Sequence, residues 1–191
     1  YADYVAKVLT AAGGMSDGRL THAVARYLFK LMAYKDEYEV ARLFANGGFE
    51  AQLKSQFDHW DKLEFHLAPP LLSKRNEKGE LQKQVYGPWM MKAYGWLTRF
   101  KGLRGTAFDI FGYSAERKME RQLLTDYEAV IEEILAELDS GNLGAAIALA
   151  SYPELIRGYG HIKEGNVKKA HAERMKRRAG FKSVGGLAVL E

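Results

Sequence analysis

Cysteine is absent from all 191 residues of the sequence. Disulfides, thiolate zinc sites, cysteine nucleophiles and iron–sulfur clusters held by cysteine are therefore excluded for this chain. The absence fits a cytoplasmic protein, and we expect that compartment. No apolar run approaches the roughly 18 residues that a membrane span needs, and the first residues do not resemble a signal peptide. We therefore expect no membrane partner.

Charge is mild overall, at +4, but it is unevenly distributed. Residues 157–182 contain nine Lys or Arg and only two acids. A basic helical face of this kind can attract an acidic protein, a nucleic acid or an anionic ligand. Aromatic residues for base stacking are scarce there and no nucleic-acid motif is present, so nucleic acid is the less favoured partner. The candidate docking residues are Lys168, Lys169, Arg177 and Arg178.

Apolar residues recur at helical spacing through most of the chain. The clearest stripe predicts one uninterrupted helix from Leu20 to Ala45, capped by Ser16 or Asp17 and ended by the glycines after Asn46. The tail from Phe181 onward is predicted to be loosely structured. Further helices are predicted over residues 1–12, 49–57, 88–100, 114–138, 142–151 and 159–178.

One short segment has the period-two alternation of a strand instead. Residues 62–67 alternate polar and apolar side chains, Pro69-Pro70 ends the run, and residues 82–86 can return as its partner. The fold class predicted is therefore mainly α, a multi-helix bundle-like domain with one small β-hairpin at about 62–86. We expect residues 1–191 to form a single helical C-terminal domain, ending in a basic helix and tail over 157–191.

The stretch KGLRGTAFDIFGYSAERKMER, residues 101–121, is rich in glycine but matches neither the dinucleotide-binding pattern nor the P-loop. One interpretation is structural: a helix stop, an aromatic plug in the core (Phe108, Ile110 and Phe111), and a helix start capped by Ser114. Asp109 would then cap the turn or pair with Arg104. The alternative is an anion site at the helix start, with Ser114 and Arg104 as contacts.

A second candidate lies in RGYGHIKEGN, residues 157–166. Glycines on both sides of Tyr159 indicate a close backbone approach or a helix junction. The alternative is ligand contact by Arg157 and His161, which together with Arg104 and Ser114 make up the predicted anion or ligand contacts. His161 could also act as a base, but no nucleophile is placed for it.

The cluster of His59, Glu64 and His66 matches no metal-binding signature, and we predict no metal site. A buried or half-buried His66 bonded to the backbone is the preferred interpretation.

Several long runs, in the same order, carry a family resemblance across nearly the whole chain. They resemble the C-terminal domain of indolepyruvate ferredoxin oxidoreductases, the large fused members of the 2-oxoacid:ferredoxin oxidoreductase family. The runs are YLFKLMAYKDEYEVARLF (27–44), KLEFHLAPPLL (62–72), YGPWM (86–90), KGLRGTAFDIFGYSAERKMER (101–121) and RGYGHIKEGNV (157–167).

The resemblance implies an enzyme that oxidatively decarboxylates an aryl-2-oxoacid with thiamine diphosphate and coenzyme A, and passes electrons to ferredoxin. In that family the thiamine-binding domains and the iron–sulfur clusters lie outside this domain. The resemblance therefore implies no cofactor, no catalytic residue and no activity in this chain alone. Its implied partners are other domains of the same polypeptide, enzyme subunits and ferredoxin. The start at Tyr1 fits a piece of a longer protein. The rival hypothesis is an autonomous module that binds nucleic acid or another polyanion through its basic face.

Overall fold

The computed structural model describes residues 1–15, 17–34, 36–68, 73 and 82–187, with the backbone alone for 185–187. Within these residues, eight α-helices and one two-stranded hairpin make a mainly α protein, as the hydrophobic periodicity predicts. The chain divides into two compact units. Unit 1 comprises Tyr1–Tyr34 and Met119–Glu191, and unit 2 comprises Lys35–Lys118.

Helices account for most of the described chain, and short 3₁₀ turns join several of them. In chain order the elements are α1 (Ala2–Ala12), α2 (Arg19–Met32), α3 (Glu37–Ala45), α4 (Gly48–Gln56), β1 (Phe65–Leu67), β2 (Gln84–Tyr86), α5 (Met90–Arg99), α6 (Ala115–Glu137), α7 (Leu143–Ala150) and α8 (Gly160–Leu187).

Unit 1 is organised by one large apolar core. The buried stripe of α2 packs with those of α6 and α7, as the spacing of apolar residues in each helix requires. Tyr127 lies fully buried in this core and its hydroxyl donates to the carbonyl of Ala150 at 2.9 Å, which satisfies its polar end. Asn142, also buried, occupies the N-cap position of α7, but its side chain accepts no hydrogen bond from that helix. Its side-chain amide instead ties the preceding loop together, because it donates to the carbonyl of Glu137 and accepts from the N–H of Asp139.

Unit 2 has a smaller core made largely of aromatic rings. The rings of Phe44 and Tyr94 stack with their centroids 5.1 Å apart, and Phe65 meets Tyr94 edge-on at 5.8 Å. Phe65 belongs to the antiparallel hairpin, where it lies opposite Tyr86. The predicted hairpin is thus confirmed, whereas residues 69–72 and 74–81 of its connection lie outside the described residues.

The predicted uninterrupted helix from Leu20 to Ala45 is wrong. The structure ends α2 at Met32 and begins α3 at Glu37. The cause is Asp36, whose carboxylate accepts from the backbone N–H of Glu39 at 2.7 Å and so starts a new helix. The apolar stripe continues at helical spacing on both sides of the break, which is why periodicity alone missed it.

The C-terminal tail differs from the prediction. The tail predicted to be loose is helical as far as Leu187, because Phe181 is buried in the core of unit 1 and holds the last turns of α8. Residues 188–191 lie outside the described residues.

At the start of α2, Asp17 accepts weakly from the N–H of Arg19 at 3.4 Å, while Ser16, the other predicted cap, is not among the described residues.

Candidate functional site

Residues 104–114 form a loop that is held from inside by one aspartate, and we call it the anchored loop. Asp109 is only 5% exposed. Its carboxylate accepts from the backbone N–H groups of Gly105 at 2.9 Å and Gly112 at 3.0 Å, and from the hydroxyl of Tyr38 at 3.3 Å. Gly105 has a φ of +77°, a conformation that favours glycine and lets its N–H reach the carboxylate. The loop backbone is therefore fixed.

The charge state of Asp109 follows from these contacts. Burial by itself raises the pKa of the carboxyl, but the donations from Gly105 and Gly112 outweigh it, and the pKa lies below its usual range. Asp109 is therefore a charged structural acceptor at neutral pH. This agrees with the prediction that it caps the turn.

Two ion pairs extend the network around the anchored loop. Arg104 pairs with Asp36, Nε to Oδ2 at 2.6 Å, and Asp36 is almost fully buried. The guanidinium of Arg117 lies 3.3 Å from the carboxylate of Glu37, with both side chains largely buried. These contacts join the start of α3 to the loop within unit 2. The predicted ligand contact Arg104 therefore already has a carboxylate partner inside the fold.

Ser114 caps α6, as predicted. Its hydroxyl oxygen accepts from the backbone N–H of Arg117 at 3.2 Å, and its carbonyl accepts from Lys118 at 3.0 Å. An N-cap side chain occupies a backbone N–H group at the helix start that could otherwise bind an anion. Ser114 therefore stabilises the start of α6 at the position predicted as a possible anion contact.

The predicted contacts Arg157 and His161 lie in unit 1. Arg157 donates to the carbonyl and to the carboxylate of Glu154, both at 2.9 Å, and its side chain is mostly exposed. His161 is exposed in the first turn of α8. Gly158 has a φ of +91°, and a Cβ there would lie 2.8 Å from Cγ2 of Ile162. These residues join the turn that ends at Leu155 to α8, so the helix-junction interpretation is confirmed.

The basic helix α8 is partly neutralised by the acidic side of α6. Five ion pairs link the two helices, and we call them the α6–α8 ladder. The pair nearest the start of α8 is the most buried one, with 5% and 15% of the two side chains exposed. The ladder pairs are Glu120–Lys163 (2.5 Å), Asp126–Arg174 (3.4 Å), Glu133–Arg178 (2.8 Å), Glu133–Lys182 (3.1 Å) and Glu137–Lys182.

The four predicted docking residues fall into two pairs. Arg178 is part of the ladder, and Arg177 binds Glu173 at 2.8 Å and the carbonyl of Ala148 at 2.7 Å. Lys168 and Lys169 are exposed, and no ion pair or hydrogen bond to their side chains occurs among the described residues. The basic surface that can meet a partner is therefore much smaller than the charge count predicts.

Several exposed apolar side chains of unit 2 were not predicted from the sequence. The prediction that Phe108 and Ile110 plug the core is wrong, because both point outward while Phe111 packs edge-on against Tyr38 at 5.3 Å. We call the following residues the outward apolar set: Trp96 (64% exposed), Phe100 (46%), Phe108 (76%), Ile110 (61%) and Tyr113 (60%).

A signal for this arrangement exists in the sequence. Asp109 lies between Phe108 and Ile110 and is followed by Gly112, three residues on. Aspartate side chains in turns accept hydrogen bonds from nearby backbone N–H groups. Here Asp109 is buried while its neighbours Phe108 and Ile110 are exposed. The fold of the loop, rather than hydrophobicity, thus decides which side chains are exposed.

The histidine cluster does not assemble into a metal site. His66 is exposed in β1, contrary to the expectation of a buried or half-buried side chain, and Glu64 pairs with Lys62. No group of three or more His, Asp or Glu placed to hold a metal ion occurs among the described residues.

These features define a helical protein with one large and one small core, an anchored loop and an apolar surface. Within the described residues, no helix combines the length and apolar character needed to cross a membrane. The chain belongs to the DUF6537 family, a family of unknown function, whose sequence profile matches residues 1–176. No curated protein and no solved structure matches the chain.

Proposed function

We propose that this chain is a non-catalytic helical accessory domain of a thiamine-diphosphate-dependent indolepyruvate:ferredoxin oxidoreductase. It packs on the catalytic domains or subunits of that enzyme, which hold the thiamine diphosphate and the iron–sulfur clusters. The sequence runs that resemble this family are the ground for naming the enzyme. The ground for an accessory role is the engagement of Arg104, Ser114 and Asp109 in holding the fold.

The observation that carries the packing role is the outward apolar set. Five large apolar side chains, four of them aromatic, lie exposed in or next to one loop of unit 2. Aromatic residues are enriched in the buried centres of protein interfaces, and exposed apolar patches mark interaction sites. Packing of this domain against neighbouring protein, which would bury these side chains, accounts for their exposure in the isolated chain.

The test divides the complete polypeptide that carries this chain into two pieces, residues 1–191 and the remainder. We expect neither piece alone to reduce ferredoxin with indolepyruvate at the full rate, and we expect the mixture to regain activity. Calorimetry measures whether the pieces bind. Ferredoxin reduction by residues 1–191 alone, or full activity of the remainder without them, contradicts the proposal.

Ferredoxin or coenzyme A docking is the second part of the proposal, and it now rests on Lys168 and Lys169. Both carry exposed positive charge on α8, and ferredoxins are usually acidic. In the complete enzyme, Lys168→Glu with Lys169→Glu should raise the KM for ferredoxin several-fold and reduce its salt dependence. The matched control is Lys83→Glu, an exposed lysine of unit 2. Equal KM values in the variant and the control would contradict docking of ferredoxin through Lys168 and Lys169.

A polyanion-binding module stays as the alternative because three open lysines share one face of α8. At about 100° per residue, Lys168, Lys169 and Lys176 fall within roughly 100° of the helix circumference. Three phosphate contacts predict a slope of about −3 in a plot of log affinity against log salt concentration. A gel shift of the purified chain with a DNA duplex at several salt concentrations measures it. Absence of any shift at low salt excludes this alternative.

A further inference from the structure

The anchored loop holds its backbone still while three of its apolar side chains point outward. Asp109 fixes both ends of the turn, and the Tyr113 hydroxyl donates to the carbonyl of Ala107 at 2.8 Å across it. The hydroxyl of Thr106 donates to the carbonyl of Leu103 and accepts from the N–H of Phe108. A loop that is already ordered loses little conformational entropy when a partner covers it.

The last turns of α5 add two more exposed rings. Trp96 and Phe100 are four residues apart, so they share one face of the helix and its end. Arg99 lies over the Trp96 ring at 5.4 Å from its centroid. Trp, Tyr and Arg are the residue types that most often dominate binding energy in protein interfaces.

The chain segment that carries this surface has a net positive charge. Residues 87–118 contain six Lys or Arg and two acids, and one of those acids is the buried Asp109. Arg104 and Arg117 are paired with acids of unit 2. The exposed charges that remain in this segment are Lys92, Arg99, Lys101 and Lys118, whereas the second acid, Glu116, is half-buried. An acidic surface therefore complements this segment.

We propose that the outward apolar set docks onto an acidic protein surface that carries apolar side chains, supplied by the remaining domains of the same enzyme. This inference rests on the proposed function and names the surface through which it operates. The charge of the flanking residues selects an acidic partner, and the rigid apolar side chains provide the contact. The Asp109 network acts as a positioning device, since it holds Phe108 and Ile110 outward.

A protein partner fits better than a nucleic acid. The anchored loop has no Lys or Arg between Gly105 and Glu116, so its tip has no cation for a phosphate. Ile110 also has no ring on which a base could stack.

Hydroxyl-radical footprinting of the wild-type protein tests the surface without any substitution. Trp96, Phe108 and Tyr113 should be oxidised several-fold more slowly in the complete enzyme than in the isolated chain. Phe29 of α2 is as exposed as Ile110, at 61%, and serves as the internal control for protection that is not specific to the set. Unchanged reactivity of the three residues overturns the inference. Protection by a single-stranded oligothymidine, without protection in the enzyme, overturns it in favour of nucleic acid.

Binding of the two enzyme pieces measures the contribution of the set. Phe108→Ser with Ile110→Ser should weaken the association by roughly tenfold or more, whereas Phe29→Ser should leave it unchanged. Lys101→Glu with Lys118→Glu should weaken it and flatten its salt dependence, with Lys83→Glu as the control. Circular dichroism verifies that each variant is folded. Wild-type pieces that restore activity, together with variants of equal affinity, overturn this inference and leave the proposed function standing.

Discussion

The two units of this chain are stabilised in different ways. The core of unit 1 contains twenty-two buried apolar residues, whereas the corresponding cluster of unit 2 contains four within the described residues. Unit 2 compensates with buried polar contacts, above all those of Asp109, Asp36 and Arg117. Unit 1 places its ion pairs mostly at the helix surface, in the α6–α8 ladder.

This difference predicts which unit is sensitive to pH and salt, and which unit is available for binding. Apolar burial tolerates changes of pH and salt, while a network of buried charges depends on every member keeping its partner. Unit 2 also exposes the five residues of the outward apolar set in or next to the anchored loop. The unit with the smaller core is thus the one that carries the proposed docking surface.

The largest expected effect is on the core of unit 1. Ile131 is fully buried in α6, and Ile131→Ala removes apolar contacts and leaves a cavity. We expect a loss of about 2–5 kcal/mol in the free energy of unfolding. Urea denaturation followed by circular dichroism measures it. Thr125→Ala, at an exposed position of the same helix, should change stability by less than about 0.5 kcal/mol. Equal effects of the two substitutions would contradict the core assignment.

The next effect is on unit 2 alone. Asp109→Ala leaves the N–H groups of Gly105 and Gly112 and the Tyr38 hydroxyl without their acceptor, with an expected loss of about 3 kcal/mol. Asp109→Asn keeps one acceptor oxygen and should lose less. Native-state hydrogen exchange should show faster exchange in unit 2 and unchanged exchange in α7. Acceleration of both units to the same extent would mean that they unfold together.

Acidic pH should increase the difference in stability between the two units. The pKa of Asp109 is lowered in the fold, so its contribution is fully present above its unfolded pKa of about 4 and is lost as the pH falls through the folded value. Exchange protection of unit 2 should therefore fall below about pH 4, before that of the unit 1 core. Asp109→Asn removes this titration, and its protection should vary less over the same range. A parallel pH dependence in the variant would show that other carboxylates are responsible.

The smallest effect concerns the α6–α8 ladder. Arg178 and Glu133 form a partly exposed pair at 2.8 Å, and such pairs contribute about 0.2–1 kcal/mol. Arg178→Ala should therefore destabilise unit 1 only slightly, and less at high salt. Lys168→Ala, at an exposed lysine of the same helix, is the matched control and should have no measurable effect. A loss above about 2 kcal/mol would show that the ladder, and not the core, holds α8 in place.

The sequence predicts local structure correctly where residues close in the chain decide it. The Ser114 cap and the tight glycine junction at Gly158 follow from residues within a few positions, and so does the strand alternation around Phe65. Asn142, predicted to cap α7, stands at its N-cap without a side-chain hydrogen bond to the helix. The break before Asp36 was missed because the apolar period continues across it. The helical end of α8 was missed because Phe181 is anchored by residues distant in the sequence.

The mainly α class, the Ser114 cap and the basic character of α8 follow from the sequence alone, because helix propensity, capping and charge are properties of neighbouring residues. Tertiary structure decided which charges remain available. It paired Arg178 with Glu133 across two helices and left Lys168 open. It also turned Asp109 inward, where its carboxylate meets the N–H groups of Gly105 and Gly112, and left Phe108 exposed. Side-chain placement of this kind depends on contacts between distant segments, which no local pattern contains.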